Sequence, residues 1–154
     1  MSMLFTKLNL KDHVTIAVLN APKSFDAELS QLTGRTVVRT LPKGARCDFA
    51  IAFAVTAAEL DKVSTALVRG TEGDAVVWIA YPKQSSKTYR CEFNRDSGWT
   101  VLGAGGFEPV RMVAIDADWS ALRFRRAEYI KTLARNPEML LSDAGKARVK
   151  GRKS

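Results

Sequence analysis

Histidine and cysteine are nearly missing from this chain of 154 residues. It holds one histidine, His13, and two cysteines, Cys47 and Cys91. Neither cysteine belongs to a CxxC pair, and a closed zinc site needs four ligands, so no metal centre is assigned. Two cysteines also exclude a small disulfide scaffold and read as reduced thiols of a cytoplasmic protein. A Ser/His/Asp triad would have to use His13. That residue stands at the entry of the first strand, at the opposite end of the sheet from a ligand crevice. Long apolar runs are missing as well. The longest, residues 49–58, has ten residues, whereas a spanning helix needs about 20, so no membrane span is expected. The opening MSMLFTKLNLKD places its first positive charge after its apolar residues, and no long apolar stretch follows, which predicts no signal peptide. No GxxxxGK[ST] occurs, so a phosphate-binding P-loop is excluded. No segment repeats at a period of 20–50 residues.

What is present is an ordinary globular composition, 46% apolar and 26% charged, with a net charge of +8. A chain of this length forms one domain and buries roughly 70% of its unfolded surface. The charge is uneven. Residues 1–110 carry 13 basic and 11 acidic groups, and residues 111–154 carry 11 and 5. Residues 145–154 hold Lys146, Arg148, Lys150, Arg152 and Lys153 and no acid. Such a tail repels itself and lacks apolar anchors, so the sequence predicts a folded domain over 1–135 and an extension over 136–154 that ends disordered. A basic tail can contact nucleic acid weakly through counterion release. It equally serves as a solubilising end, and no aromatic stacking platform accompanies it.

Short apolar runs alternate with helical stretches. Residues 14–19 (VTIAVL) read as a buried strand. Ser24 is placed to cap a helix whose Phe25, Leu29 and Leu32 share one face, with Gly34 at its end. Residues 36–40 (TVVRT) form a short second strand and 48–55 (DFAIAFAV) a third, apolar on both faces. Thr56 and Glu59 make a capping box for a helix with Leu60, Val63 and Leu67 inward and Gly70 at its close. Residues 75–81 (AVVWIAY) are a fourth strand stopped by Pro82, followed by the loop PKQSSK. A weaker helix is predicted over 94–103, with Trp99 and Leu102 on one side and Arg95 and Asp96 at its entry. The glycines at 103, 105 and 106 end it and turn the chain. Residues 108–115 and 119–126 are two strands joined by Asp116-Ala-Asp118, a joint so short that it demands an antiparallel hairpin. The two aspartates supply turn chemistry. A helix is read over 127–135. Trp78, Trp99 and Trp119 are read as core. The whole predicts an α/β domain, three-layered and Rossmann-like, with a mostly parallel sheet ending in an antiparallel β-hairpin at one edge. That edge is a candidate for pairing between copies, and the oligomeric state stays open.

The order of these elements over residues 14–126 resembles the S-adenosylmethionine-dependent methyltransferase fold. The stretches WIAYPK, SSK, RDSGW, GFEPVRMVAID and DWSALRFR, from Trp78 to Arg125, are similar to those of a family of small bacterial proteins of this kind, which brings no activity with it. The fold implies a glycine-rich turn after the first strand and an acid at the end of the second. Here the turn is residues 20–25 (NAPKSF), without glycine and with a proline, and the second strand leads into Arg39, Thr40 and Leu41. Side chains at every turn position bar close approach of a cofactor to the backbone, and a cation cannot accept ribose hydroxyls. No cofactor is assigned.

Ligands of open α/β sheets lie beyond the carboxyl ends of the strands. The loops converging there bring Asn20, Lys23, Ser24, Tyr81, Lys83, Ser85, Ser86 and Lys87. Three ammonium groups and three hydroxyls suit a small anion, aided by the amides of a helix starting at Ser24; a solvated surface loop is the plainer alternative. With no complete catalytic set, the sequence points to a non-catalytic binding or regulatory module. The alternatives are a divergent methyltransferase or an enzyme acting on a phosphorylated small molecule, and nucleic-acid binding through the tail.

Overall fold

The computed structural model describes residues 3–94 and 98–130. The five basic tail residues, Arg95 with Asp96, and most of the helix expected over 127–135 lie outside them. The elements run α1 (Met3–Lys7), β1 (Thr15–Leu19), a 3-10 turn (Lys23–Phe25), α2 (Asp26–Leu29), β2 (Thr36–Val38), β3 (Cys47–Phe53), α3 (Ala57–Gly70), β4 (Thr71–Pro82), α4 (Thr100–Ala104), β5 (Phe107–Ala114), β6 (Trp119–Arg126) and a closing 3-10 turn (Ala127–Tyr129).

The six strands form one sheet in the order β2-β1-β3-β4-β6-β5. The first four are parallel, and β6 runs antiparallel to both β4 and β5. The expected terminal hairpin therefore lies at an edge, with its second strand inserted against β4. A bulge at Pro109/Arg111 interrupts the register of the outer strand.

Each sheet face has its own core. On one, Ala17, Ala50, Val77, Ile79 and Phe124 pack under Leu60, Val63 and Leu67 of α3 and under Trp99 and Leu102. On the other, Ile16, Val18, Ile51 and Trp78 are covered by Phe5, Leu8, Phe25, Leu29 and Leu32. Strands apolar on both faces are what a parallel sheet between two layers requires. Trp78 is fully buried, and its indole N–H donates to the Leu8 carbonyl at 2.8 Å, tying α1 to the sheet.

Two expected helices are far shorter than their spacing suggests. Phe25, Leu29 and Leu32 are all buried, but α2 has four residues. Ser24 is not its cap: Pro22 precedes the 3-10 turn, with no side-chain cap bond. The turn tightens because the Ser30 hydroxyl donates to the Ala27 carbonyl at 2.8 Å and Leu32 N–H reaches back only to Leu29, so side chain and backbone both compete with helical winding. α4 has five residues; Trp99, just before it, donates its Nε1 proton to the Asn94 carbonyl at 2.9 Å. The capping box of α3 is complete: Thr56 Oγ1 accepts from Glu59 N, and the Glu59 carboxylate accepts from Thr56 N.

Candidate functional site: two cavities at the carboxyl ends of the strands

The sheet order turns at β1 and β3, where a doubly wound sheet opens its ligand crevice. Asn20, the first residue after β1, takes a left-handed backbone conformation, φ 58°. Asparagine tolerates that region next best after glycine. Its side-chain amide donates to the Phe53 carbonyl at 2.9 Å and to Glu59 Oε2 at 2.8 Å. The other carboxylate oxygen of Glu59 accepts from the amides of Val55 and Thr56, each at 3.0 Å. This donor set, the Asn20 amide foremost, holds the Glu59 carboxyl below its ordinary 4.5. A cavity of about 400 Å³ lies beside it, bordered by Asn20, Arg39, Thr40, Glu59 and Lys62. Arg39 also meets Asp26 at 3.6 Å in an exposed ion pair, which contributes little to stability.

A second, larger cavity of about 1100 Å³ opens at the end of β4, under the loop of residues 82–94. Lys83, Lys87 and Arg90 border it, with Ser85, Ser86 and Thr88, and Tyr81 and Ser120 are its buried residues nearest the sheet. The loop is braced at three points. Lys83 N–H donates to the Asp118 carbonyl at 2.8 Å. Ser86 Oγ donates to Asp118 Oδ1 at 2.8 Å and accepts from the amides of Thr88 and Tyr89. The return leg is tied to α3: Glu92 N–H donates to the Val55 carbonyl, and Glu92 Oε1 accepts from Ala57 N at 2.8 Å. The ring of Tyr89 packs on Trp119 with centroids 4.9 Å apart.

The single crevice read from the sequence is thus two. Asn20 borders the smaller cavity; Tyr81, Lys83, Ser85, Ser86 and Lys87 border the larger. Lys23 and Ser24 border neither and are exposed on the 3-10 turn. With only four residues, α2 offers no dipole to a ligand. The hydroxyl of Ser86 already serves the loop itself. Sequence reasoning missed Arg39, Glu59, Lys62 and Arg90 as bordering residues. Glu59 was legible as a capping-box residue; that its second oxygen reaches across to Asn20 follows only from the folded turn.

The other candidates fall where their chemistry puts them. Asp116 Oδ1 accepts from the amides of Asp118 and Trp119, both at 2.9 Å, which is turn chemistry. Trp78, Trp99 and Trp119 are buried. His13 packs on Phe49, centroids 5.3 Å apart, and its Nδ1 accepts from Lys11 N. Burial raises both thiols above their ordinary 9.0, which disfavours the nucleophilic thiolate. No group of three potential metal ligands gathers among the described residues, and no described helix is long and apolar enough to cross a membrane.

A three-layer sheet with a parallel core and one antiparallel strand inserted next to its last edge is the S-adenosylmethionine-dependent methyltransferase fold. Solved structures agree. The chain is similar to a methyltransferase dependent on S-adenosylmethionine from Aquifex aeolicus, with a TM-score of 0.56, 13% identity, and coverage of 80% of this chain and 87% of that one. It is similar also to the N-methyltransferase NodS from Bradyrhizobium japonicum, with a TM-score of 0.51, 10% identity and coverage of 80% and 92%. At such identities the likeness is one of fold. No family model matches the chain, and no curated protein matches it in sequence.

Proposed function

We propose that this protein is a non-catalytic binding module that holds a small anionic ligand under the 82–94 loop. The observation that carries this reading is the bracing of that loop at Asp118 and at the start of α3. Lys83, Lys87 and Arg90 border the cavity from a fixed frame, so little order has to be imposed when an anion arrives. Glu92, the acid among the bordering residues, has its carboxylate engaged by the Ala57 amide. The chemistry nearby favours binding over turnover. Burial raises the Cys91 thiol above its ordinary range, and His13 stands before β1, at the opposite end of the strands.

Thermal denaturation with inorganic phosphate, pyrophosphate and a nucleoside triphosphate tests the reading. A ligand present at 100 times its Kd stabilises by about 2.7 kcal/mol, which for a chain of this size raises Tm by about 5–10 °C. The rise is expected to vanish in a variant carrying both Lys83→Ala and Lys87→Ala. An equal rise in that variant, or none in the wild type with any of the three, overturns it.

The second reading is a divergent methyltransferase, favoured by one observation: a cavity persists at the tips of β1 and β2, where the fold receives its donor. Against it, side chains fill the turn from Asn20 to Phe25, and the Asn20–Glu59 bridge stands beside the cavity. Stabilisation by S-adenosylhomocysteine, together with transfer of labelled methyl groups into a cell extract, would decide for this second reading.

A further inference from the structure

The cavity under the 82–94 loop is far larger than a bare oxyanion needs. Its volume of about 1100 Å³ would hold roughly 35 waters at about 30 Å³ each, and an inorganic phosphate fills only a corner of it. Clefts that take organic ligands span roughly 300–1,000 Å³. The lining is divided between base and rim. Tyr81 and Phe93 stand at the two roots of the loop and meet ring to ring, with centroids 5.8 Å apart. Trp99 packs on both, at 5.8 Å from Tyr81 and 5.4 Å from Phe93. Aromatic carbon thus closes the base. Lys83, Lys87 and Arg90 lie on the arc between those roots, and one aromatic ring lies on the arc with them. Tyr89 meets Trp119 at a tilt of 57° and is only half-buried, with the cavity at its border. Tyr81 and Phe93 are 7% and 8% exposed, so among the bordering rings Tyr89 has the surface left to offer.

Charge balance at the rim limits the anion. The described border holds three cations against one carboxylate, Glu92, a net of +2. None of the three cations forms an ion pair among the described residues, and Glu92 is engaged by the Ala57 amide. A phosphate monoester brings about −1.5 to −2 near neutral pH, which matches that excess. The lysines act as point charges and Arg90 as a planar fork, so the arc holds a phosphate without filling the rest of the cavity. What fills the rest has Tyr89 for a partner. Aromatic pairs gain from offset-stacked or edge-to-face contact beyond the area they bury, and a base stacks on an aromatic side chain whatever its edge pattern. An aliphatic body gains the area alone. We propose that the ligand is an aromatic phosphate monoester of mononucleotide size, with its phosphate among Lys83, Lys87 and Arg90 and its ring on Tyr89. This rests on the anion reading of the 82–94 loop and extends it to the chemical class of the ligand.

Isothermal titration calorimetry of the full chain tests this with AMP, UMP and flavin mononucleotide. Each is compared with its phosphate-free parent (adenosine, uridine or riboflavin) and with ribose 5-phosphate, which has the phosphate and sugar but no ring. At least one of the three nucleotides is expected to bind about tenfold tighter than ribose 5-phosphate, the factor one stacked ring supplies. Its parent is expected to bind about tenfold more weakly than the nucleotide. Tyr89→Leu keeps apolar bulk against Trp119 and is expected to weaken that nucleotide about tenfold, with ribose 5-phosphate unchanged. Tyr89→Phe keeps both affinities. If ribose 5-phosphate binds as tightly as all three nucleotides, the proposed class is overturned while the anion reading stands. If the parents bind as tightly as their phosphates, or if nothing binds, the anion reading falls and this proposal with it. Equal weakening of nucleotide and ribose 5-phosphate by Tyr89→Leu also overturns the proposal, because the ring then serves the loop rather than the ligand.

Discussion

One side-chain amide decides how the carboxyl end of β1 is used. In Asn20 the left-handed backbone is kept without glycine, and the group that glycine lacks is turned to bridge Phe53 and Glu59. The bridge has a consequence for acid stability. The Glu59 carboxyl is held below 4.5 in the folded chain. Its contribution is therefore fully present above 4.5 and fades as pH falls through the lowered value. Asn20→Ala removes the foremost cause of that depression. Urea denaturation between about pH 6 and pH 3 is expected to show a smaller acid-side loss of stability in Asn20→Ala than in the wild type, with lower stability near neutrality. Equal pH profiles for the two proteins would remove the bridge from this account.

At the scale of elements, legibility followed burial. β1, β3, β4, the hairpin and α3 are readable because their apolar patterning is continuous or strictly periodic, and because Thr56 and Glu59 mark a helix start by chemistry. α1 gives no such signal in five residues. α2 misleads because Phe25, Leu29 and Leu32 cover the sheet equally well from a single turn and a bend. The lysines and hydroxyls of the 82–94 loop were readable as a group from their position after β4. Which of them faces a ligand was not, because that depends on bonds made 32 residues away, from Ser86 to Asp118. That bond makes a prediction. Asp118→Ala removes the acceptor for Ser86 but leaves Lys83, Lys87 and Arg90 in place. If the frame matters as proposed, affinity for the anion falls by about three- to tenfold, through about 1 kcal/mol of ordering returned to the loop. Calorimetric titration with pyrophosphate measures it, and an unchanged affinity means the cations alone suffice.

The whole molecule is a methyltransferase-like sheet with short helices on its second face and with basic groups placed at two distant positions. The 82–94 loop caps the end of β4, while on the outer hairpin Arg125 is ion-paired with Asp74.

The rims of the sheet carry a further consequence. On one side the last strand is three residues long. On the other, Pro109 removes a donor, the bulge beside it bends the chain, and Arg111 adds charge. Each of these makes an open strand a poor template for stacking further chains. Pro109→Val would restore a straight, fully donating border. Light scattering at high concentration is expected to report slow growth of large particles in that variant, where the parent solution stays clear. Such growth would identify the irregularity at this border as a guard against fibre formation; a variant solution as clear as the parent's would not.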